Sequence, residues 1–309
     1  PTFLHASIAI ACLRAGCHVL VEKPMAIQVA EADAMIETAA QCQRMLGVVF
    51  QQRFRPEVIA AKALLAEGQL GEIQHVELLA CCPRPSAYYR AVSWRGTWAG
   101  EGGGVVMNQA PHHLDLLCHL VGKPSRVFAW TRRIIHMIET EDTVQAQLEW
   151  PNGALGSFCA STAFAGSGAS ESVAEQDTIK ILGTAGSLLL QNGELTYARL
   201  DKELRQFVLS ERLQPFPVAH RVTVPLPPVA GDHLAVYRNF CAALLQKSDL
   251  LVTGKEARQS LELANAFLSS GITSQVVELP LDRDRYARLF ETVSHCKQRS
   301  PVDLAAALP

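Results

Sequence analysis

Two short stretches of the sequence hold side chains able to move a proton. Glu22-Lys23-Pro24 follows the apolar run 18–21. A lysine there offers a positive charge and several donors to a substrate hydroxyl, and the proline restricts the backbone beside it and can take a cis peptide bond. A solvated cation at a strand end is the plainer reading of the same residues. The second stretch runs from Gly102-Gly103-Gly104 through Asn108, Gln109, His112 and His113 to Asp115. Consecutive glycines permit close backbone approach to a ligand. Asn108 suits a helix N-cap, and His112, one turn on, can point to the same side. A neutral histidine, with an ordinary pKa of about 6.5, suits proton abstraction near neutrality. A capped helix with a partly buried histidine accounts for the stretch without chemistry.

His112, Asp115 and His119 also share roughly one helical face and could ligate a metal. Leu114, Leu116 and Leu117 around Asp115 suit instead a carboxylate that anchors its helix. We therefore expect no metal, and keep a metal-dependent lyase or hydrolase as an alternative. Arg53, Arg55, Trp94, Arg95 and Trp98 supply basic and aromatic groups near the two stretches, of the kind that line carbohydrate pockets. No G-x-S-x-G, P-loop or G-x-G-x-x-G pattern occurs, so a serine hydrolase and P-loop phosphate chemistry lack support.

The elements that must carry these groups follow from periodicity. Residues 3–15 read as a helix with Leu4, Ile8 and Ala15 on one face and Gly16 behind it. The apolar run 18–21 reads as a strand buried on both sides. Residues 28–45 read as a helix through Val29, Ala32, Ile36 and Ala40, 47–50 as a second strand, and Pro56 to Gly68 as a helix with proline at its start. That is the rhythm of a doubly wound domain. Beyond Gly71 the pattern becomes strand-like, with alternation at Val144, Ala146, Leu148 and Trp150 and a hairpin signal at Pro151-Asn152-Gly153. This predicts a mostly antiparallel sheet, interrupted by one helix over 109–121. The Pro-rich residues 211–231 read as a loop or extended excursion. Two amphipathic helices follow over 233–246, with Leu234, Tyr237, Cys241 and Leu244 as its core stripe, and over 255–270.

The chain has 309 residues, 49% hydrophobic and 19% charged, with a formal net charge of −2. It can bury a large core, which excludes a disordered or fibrous protein. Near-neutrality argues against a nucleic-acid partner, and no apolar run reaches the roughly 20 residues of a membrane helix. The nine cysteines include no Cys-x-x-Cys and read as scattered buried thiols of a cytoplasmic protein.

Taken together, these motifs resemble the Gfo/Idh/MocA family of NAD(P)-dependent sugar and cyclitol oxidoreductases. The likeness runs in order from Pro1-Thr2-Phe3-Leu4-His5 through Ala15-Gly16 to Lys23-Pro24, Phe50 to Pro56, Gly68 to Gly71, Gly102 to Asp115, Ile181 to Ser187, and Glu256 to Ser269. It implies an α/β plus α+β fold: a partial Rossmann domain over 1–56, then an open-faced, mostly antiparallel sheet domain with helices on one face over 57–309, its last helices packing back on the Rossmann part. It implies hydride transfer between NAD or NADP and a secondary alcohol of a sugar, sugar derivative or cyclitol. His112 maps to the acid/base, and Lys23 to the group that orients the substrate. Asn108 stands where many members carry Asp and can hydrogen-bond substrate without relaying charge. His5, Glu22, Lys23, Pro24 and Arg53 map to cofactor contacts, and Lys23, Asn108, His112, Trp94 and Arg95 to the substrate. A small-molecule substrate and a homo-oligomer, dimer or tetramer, are the expected partners. The family's G-x-G-x-x-G would precede Pro1, with roughly 60–80 residues of first strands and helices. The chain by itself is then expected to bind NAD(P) weakly and to be inactive. A catalytically silent binding or assembly subunit is the other reading within the family.

Overall fold

The computed structural model describes residues 1–165 and 176–295; Cys296 lies outside them. Two strands, β1 (Val19–Val21) and β2 (Leu46–Val48), pair in parallel, with Val19 opposite Leu46 and Val21 opposite Val48. Helix α1 (Thr2–Arg14) precedes β1, and α2 (Val29–Gln41) crosses between the strands. The Glu31 carboxylate starts α2 by accepting from the N–H groups of Ile27 and Gln28 at 3.0 and 2.9 Å. A 3-10 turn (Gln51–Phe54) then leads into α3 (Pro56–Ala66), which begins on proline.

The burial of α1 departs from expectation. Thr2, Ala6, Ala9 and Leu13 face the core, whereas Leu4 and Ile8 are 37% and 55% exposed and Ala15 is exposed. Apolar residues occur all round this helix, so periodicity does not choose between its faces.

The large sheet takes β3 (Ile73–Cys81), β4 (Arg126–Arg132), β5 (Thr143–Glu149), β6 (Leu155–Ser161), β7 (Gln176–Gly183), β8 (Gly186–Gln191), β9 (Glu194–Leu200), β10 (Ala219–Val222) and β11 (Val277–Glu278). Their order is β10-β9-β8-β7-β3-β6-β5-β4-β11, antiparallel throughout except for the parallel pair β3–β6. The hairpin at Pro151-Asn152-Gly153 joins β5 to β6, with Glu149 opposite Leu155. Within the loop or extended excursion expected over 211–231, residues Ala219–Val222 form strand β10. Its four residues are all exposed, so no burial alternation marks them.

Between β3 and β4 lie three single-turn helices, α4 (Ser86–Arg90), α5 (Trp98–Glu101) and α6 (Val105–Asn108), and then α7 (Pro111–Val121). The expected helix over 109–121 thus starts on Pro111, with Ala110 as N-cap. Asn108 ends the preceding turn and is not a cap. After β9 come α8 (Leu204–Val208), α9 (His233–Leu244), α10 (Gly254–Thr273) and α11 (Arg283–His295). Helices α3, α7 and α10 pack on one face of the sheet. The other face is half-exposed along its length.

The core stripe of α9 is Val236, Phe240 and Ala243; the expected stripe residues Leu234, Tyr237 and Leu244 are 49%, 51% and 37% exposed, and Cys241 is exposed too. Helix α10 was expected to be amphipathic but is buried nearly all round, because it lies between α2 and β2 on one side and α7 and β4 on the other. Its fully buried Asn265 donates to Ile27 O at 3.0 Å and accepts from Val29 N at 2.9 Å. That clamp secures the start of α2, and with it the segment carrying Lys23.

Of the eight described cysteines, all free, only Cys81 and Cys118 are buried, while Cys17 and Cys241 are exposed. Among the described residues no helix is long and apolar enough to cross a membrane.

Candidate active site

Lys23 lies just past the carboxyl end of β1, where ligands bind in open α/β sheets. Two contacts shape its loop: His5 Nδ1 meets the carbonyl of Pro24 at 2.9 Å, and the Lys23–Pro24 peptide is cis. The ammonium crosses to the sheet domain and donates to the backbone carbonyl of Asn108 at 2.7 Å. Burial lowers the Lys23 pKa below its ordinary value, opposed by the nearby Glu22 and Glu101 carboxylates.

A carboxylate beneath α6 holds Asn108 in place. Glu141 Oε1 accepts from Gly104 N at 2.8 Å and Val106 N at 3.0 Å. Complete burial pushes the Glu141 pKa up to about 7, against the pull of those N–H groups. The glycines are required by this packing. A Cβ on Gly104 would lie 1.7 Å from the Glu141 carbonyl oxygen, and one on Gly102 would lie 2.5 Å from Ile27. Gly102 also has φ +79°, which suits glycine.

The Asn108 side chain is held at both its nitrogen and its oxygen. Its amide nitrogen donates to Glu101, and its oxygen accepts from Tyr88 Oη and Gln109 Nε2, each at 2.7 Å. Glu101 is 2% exposed, and its second oxygen accepts from Gly96 N at 2.6 Å. Burial raises the Glu101 pKa, while the Gly96 and Asn108 hydrogen bonds, Arg95 and Lys23 pull it back.

His112 sits in the first turn of α7. Its ring meets Phe50 edge-on, with centroids 5.6 Å apart, and its Nε2 lies 3.4 Å from the Gln51 amide nitrogen. Its Nδ1 is buried and has no partner among the described residues. Burial holds its pKa well below 6.5; Lys23, His113 and His233 push the same way and Asp177 opposes them. The imidazole is therefore neutral at pH 7 and able to accept a proton.

The other expected residues divide. Lys23, Asn108 and His112 come together. Arg95 stacks on Tyr88, 4.0 Å from the ring centroid, and its Nη1 donates to Tyr88 O at 2.7 Å, so it reaches Asn108 only through that tyrosine. Trp94 stands behind Arg95, 5.6 Å from its guanidinium. His5 and Pro24 shape the lysine loop, and Glu22 is exposed beside it.

Arg53 lies elsewhere than expected. It is 2% exposed and bonds both oxygens of Asp115 at 2.7 Å, while its Nη1 donates to Leu251 O at 3.3 Å. Its donors brace the turn after β2 against α7. The same contact uses Asp115 fully, which disfavours the metal alternative with His112 and His119. Among the described residues no cluster of three His, Cys, Asp or Glu could hold a metal ion.

Sequence reasoning missed Glu101, Tyr88, Gln51 and Glu141. Only the short spacing of Glu101 before the glycines hinted at one of them. The rest reach the site through tertiary packing.

Comparison with known proteins agrees with this geometry. Residues 1–50 match an oxidoreductase family with an NAD-binding Rossmann fold, and residues 58–189 match a GFO/IDH/MocA C-terminal domain. The uncharacterized oxidoreductase YdgJ of Escherichia coli is 32% identical over 151 residues, 49% of this chain and 42% of YdgJ. The bovine trans-1,2-dihydrobenzene-1,2-diol dehydrogenase is 30% identical over 188 residues, 59% of this chain and 50% of its own. The chain thus spans about half the length of these curated relatives. The WlbA dehydrogenase of Chromobacterium violaceum, solved in complex with NADH and UDP-GlcNAcA, superposes with a TM-score of 0.74 at 30% identity, covering 91% of this chain and 76% of WlbA.

Proposed function

Since the chain belongs to the GFO/IDH/MocA oxidoreductase family, we propose that its site exchanges a hydride between NAD(P) and a secondary alcohol of a sugar, sugar derivative or cyclitol. One observation carries the reading: Lys23 Nζ reaches Asn108 O at 2.7 Å across 85 residues of sequence. This puts an ammonium within electrostatic range of a neutral, buried His112.

The residues fit the reacting end of such a cofactor. Gln52 Oε1, on the turn past β2, and His112 Nδ1 are buried without partners among the described residues. Polar capacity is thus left over beside the carboxyl ends of β1 and β2. NAD(P), when bound, supplies the hydride acceptor for alcohol oxidation. No G-x-G-x-x-G occurs in the chain, so its residues account for this end of the cofactor alone.

The work of the protein side chains follows from their chemistry. The Lys23 ammonium donates to the substrate hydroxyl and favours its ionisation. His112 takes the hydroxyl proton as the C–H electron pair leaves with the hydride, and returns it in the reverse direction. Burial of the imidazole favours prompt release of that proton. The Asn108 bonds keep the lysine in place, and Arg95 on Tyr88 lines the approach. Exposed Trp130 and Leu155, at 45% and 56%, on the open sheet face support association with a second copy.

The test is NAD(P)-linked oxidation of a panel of sugars, sugar acids and cyclitols by the full natural protein and two variants. Lys23→Ala and His112→Ala are each expected to lower kcat on the order of 10²–10⁴-fold with the fold intact. Rates equal to wild type in both variants would overturn the reading.

A further inference from the structure

The Lys23 ammonium sits in a half-buried site where its one direct hydrogen-bond acceptor among the described residues, the Asn108 carbonyl, is uncharged. Burial disfavours the charged lysine, and substrate activation needs it charged. The carboxylate of Glu22 stands beside it and favours the charged form more than Glu101 does, but it is exposed to solvent, where salt screens its field. Glu101 is different. It is 2% exposed, and one of its oxygens is bonded to Gly96 N and the other to the Asn108 amide. The same asparagine therefore holds the ammonium on its backbone oxygen and the buried carboxylate on its side-chain nitrogen.

We infer that Glu101 is a positioning residue of the reaction: acting through Asn108, it supplies the buried negative charge that keeps Lys23 protonated and in place. The inference rests on the roles given above to Lys23 and His112. The arrangement splits between two residues what one aspartate at position 108 could do alone. Asn108 gives the geometry, and Glu101 gives the charge. Other titratable and charged groups face the pair. Glu22 on its own loop and Arg84 and Cys82 beyond β3 act on Lys23, which itself acts on His112; Arg95 and Lys23 act on Glu101, which in turn acts on Tyr89 and on Glu141 below it.

The experiment reads the titration of Lys23 directly, without substrate. The protein is pulse-labelled with acetic anhydride across a pH series, and modification of Lys23 is quantified by mass spectrometry. In Glu101→Gln the labelling midpoint is expected to fall by about one pH unit, and the alkaline limb of kcat/KM to move down with it. In the double variant Glu101→Gln/Asn108→Asp the carboxylate and amide exchange places, with the hydrogen bond between them retained. Midpoint and limb are then expected to return to within a few tenths of a unit of wild type. A purely structural Glu101 would lower thermal stability in Glu101→Gln and leave both where they were, which overturns the inference. Should the single variant not fold, the double variant decides alone: a midpoint displaced by a unit or more from wild type overturns the inference. A wild-type protein without NAD(P)-linked activity would refute the function proposed above while leaving the Glu101–Lys23 coupling measurable.

Discussion

Removing the Arg53 guanidinium from its partner should cost far more than removing the pair. Arg53 and Asp115 have side chains only 2% and 1% exposed and meet through two parallel hydrogen bonds of 2.7 Å. With charge centres roughly 4 Å apart and an effective dielectric of about 20, their attraction is about 4 kcal/mol. The desolvation of both ions offsets much of it. Arg53→Met leaves a buried carboxylate alone, and Asp115→Leu leaves the buried guanidinium with only the partly exposed Glu256 carboxylate, 3.6 Å from its Nη1, as a charged partner. Each is expected to lower unfolding free energy by about 3–5 kcal/mol. In Arg53→Met/Asp115→Leu no charge is stranded. The remaining loss is mainly the Leu251 carbonyl, which accepts from Arg53 at 3.3 Å, and an unpaired buried carbonyl costs about 1–3 kcal/mol. The double variant should therefore be more stable than either single one. Urea unfolding of all four proteins, compared at matched m values, measures the cycle. Singles that each cost under 1 kcal/mol, or a double variant equal to their sum, would refute the reasoning. So would a double variant that folds like wild type and has lost NAD(P) affinity, since Arg53 would then touch the cofactor after all.

Glu141 offers a pH test. Its folded pKa of about 7 lies above its ordinary value of 4.5, so between these values the folded state holds a proton that the unfolded state releases. Its contribution is fully present below pH 4.5 and is lost as pH rises towards 7. Glu141→Gln is thus expected to gain in melting temperature relative to wild type between pH 5 and pH 7 in calorimetric scans; a constant difference would contradict the assignment. Gly104→Ala should fail to fold or lose its melting transition in circular dichroism, because its Cβ would meet the Glu141 carbonyl at 1.7 Å. A native-like melt would show that α6 can shift freely.

Much of the architecture was legible because it is written in local chemistry. Short apolar runs marked β1 and β2. Alternation marked β5, and Pro151-Asn152-Gly153 marked its return. Pro56 marked the start of α3. The two residues proposed to move the proton could be singled out as well, since Lys23 follows a parallel strand and His112 stands near the start of a helix. Illegible were choices that local pattern leaves degenerate. In α9 both Leu234-Tyr237-Cys241-Leu244 and Val236-Phe240-Ala243 have helical spacing, and only contact with the turn at Gln51–Phe54 selects the second. Strand β10 has no buried residue to announce it.

The residue types and spacing established which chemistry is on hand: an ammonium, an imidazole and an amide on two segments, in a chain rich enough in apolar residues to bury them. They could not establish who meets whom. That Arg53 would meet Asp115, 62 residues away, could not be read from either stretch. Glu101 offered only its closeness to the glycines until the α5–α6 turn brought it against Asn108. Hydrogen-bond partners and burial depend on contacts between residues far apart in the chain, and those contacts come into being when the sheet, α7 and α10 close on one another. Burial then bears on protonation, favouring a neutral His112 and disfavouring the charged form of Lys23.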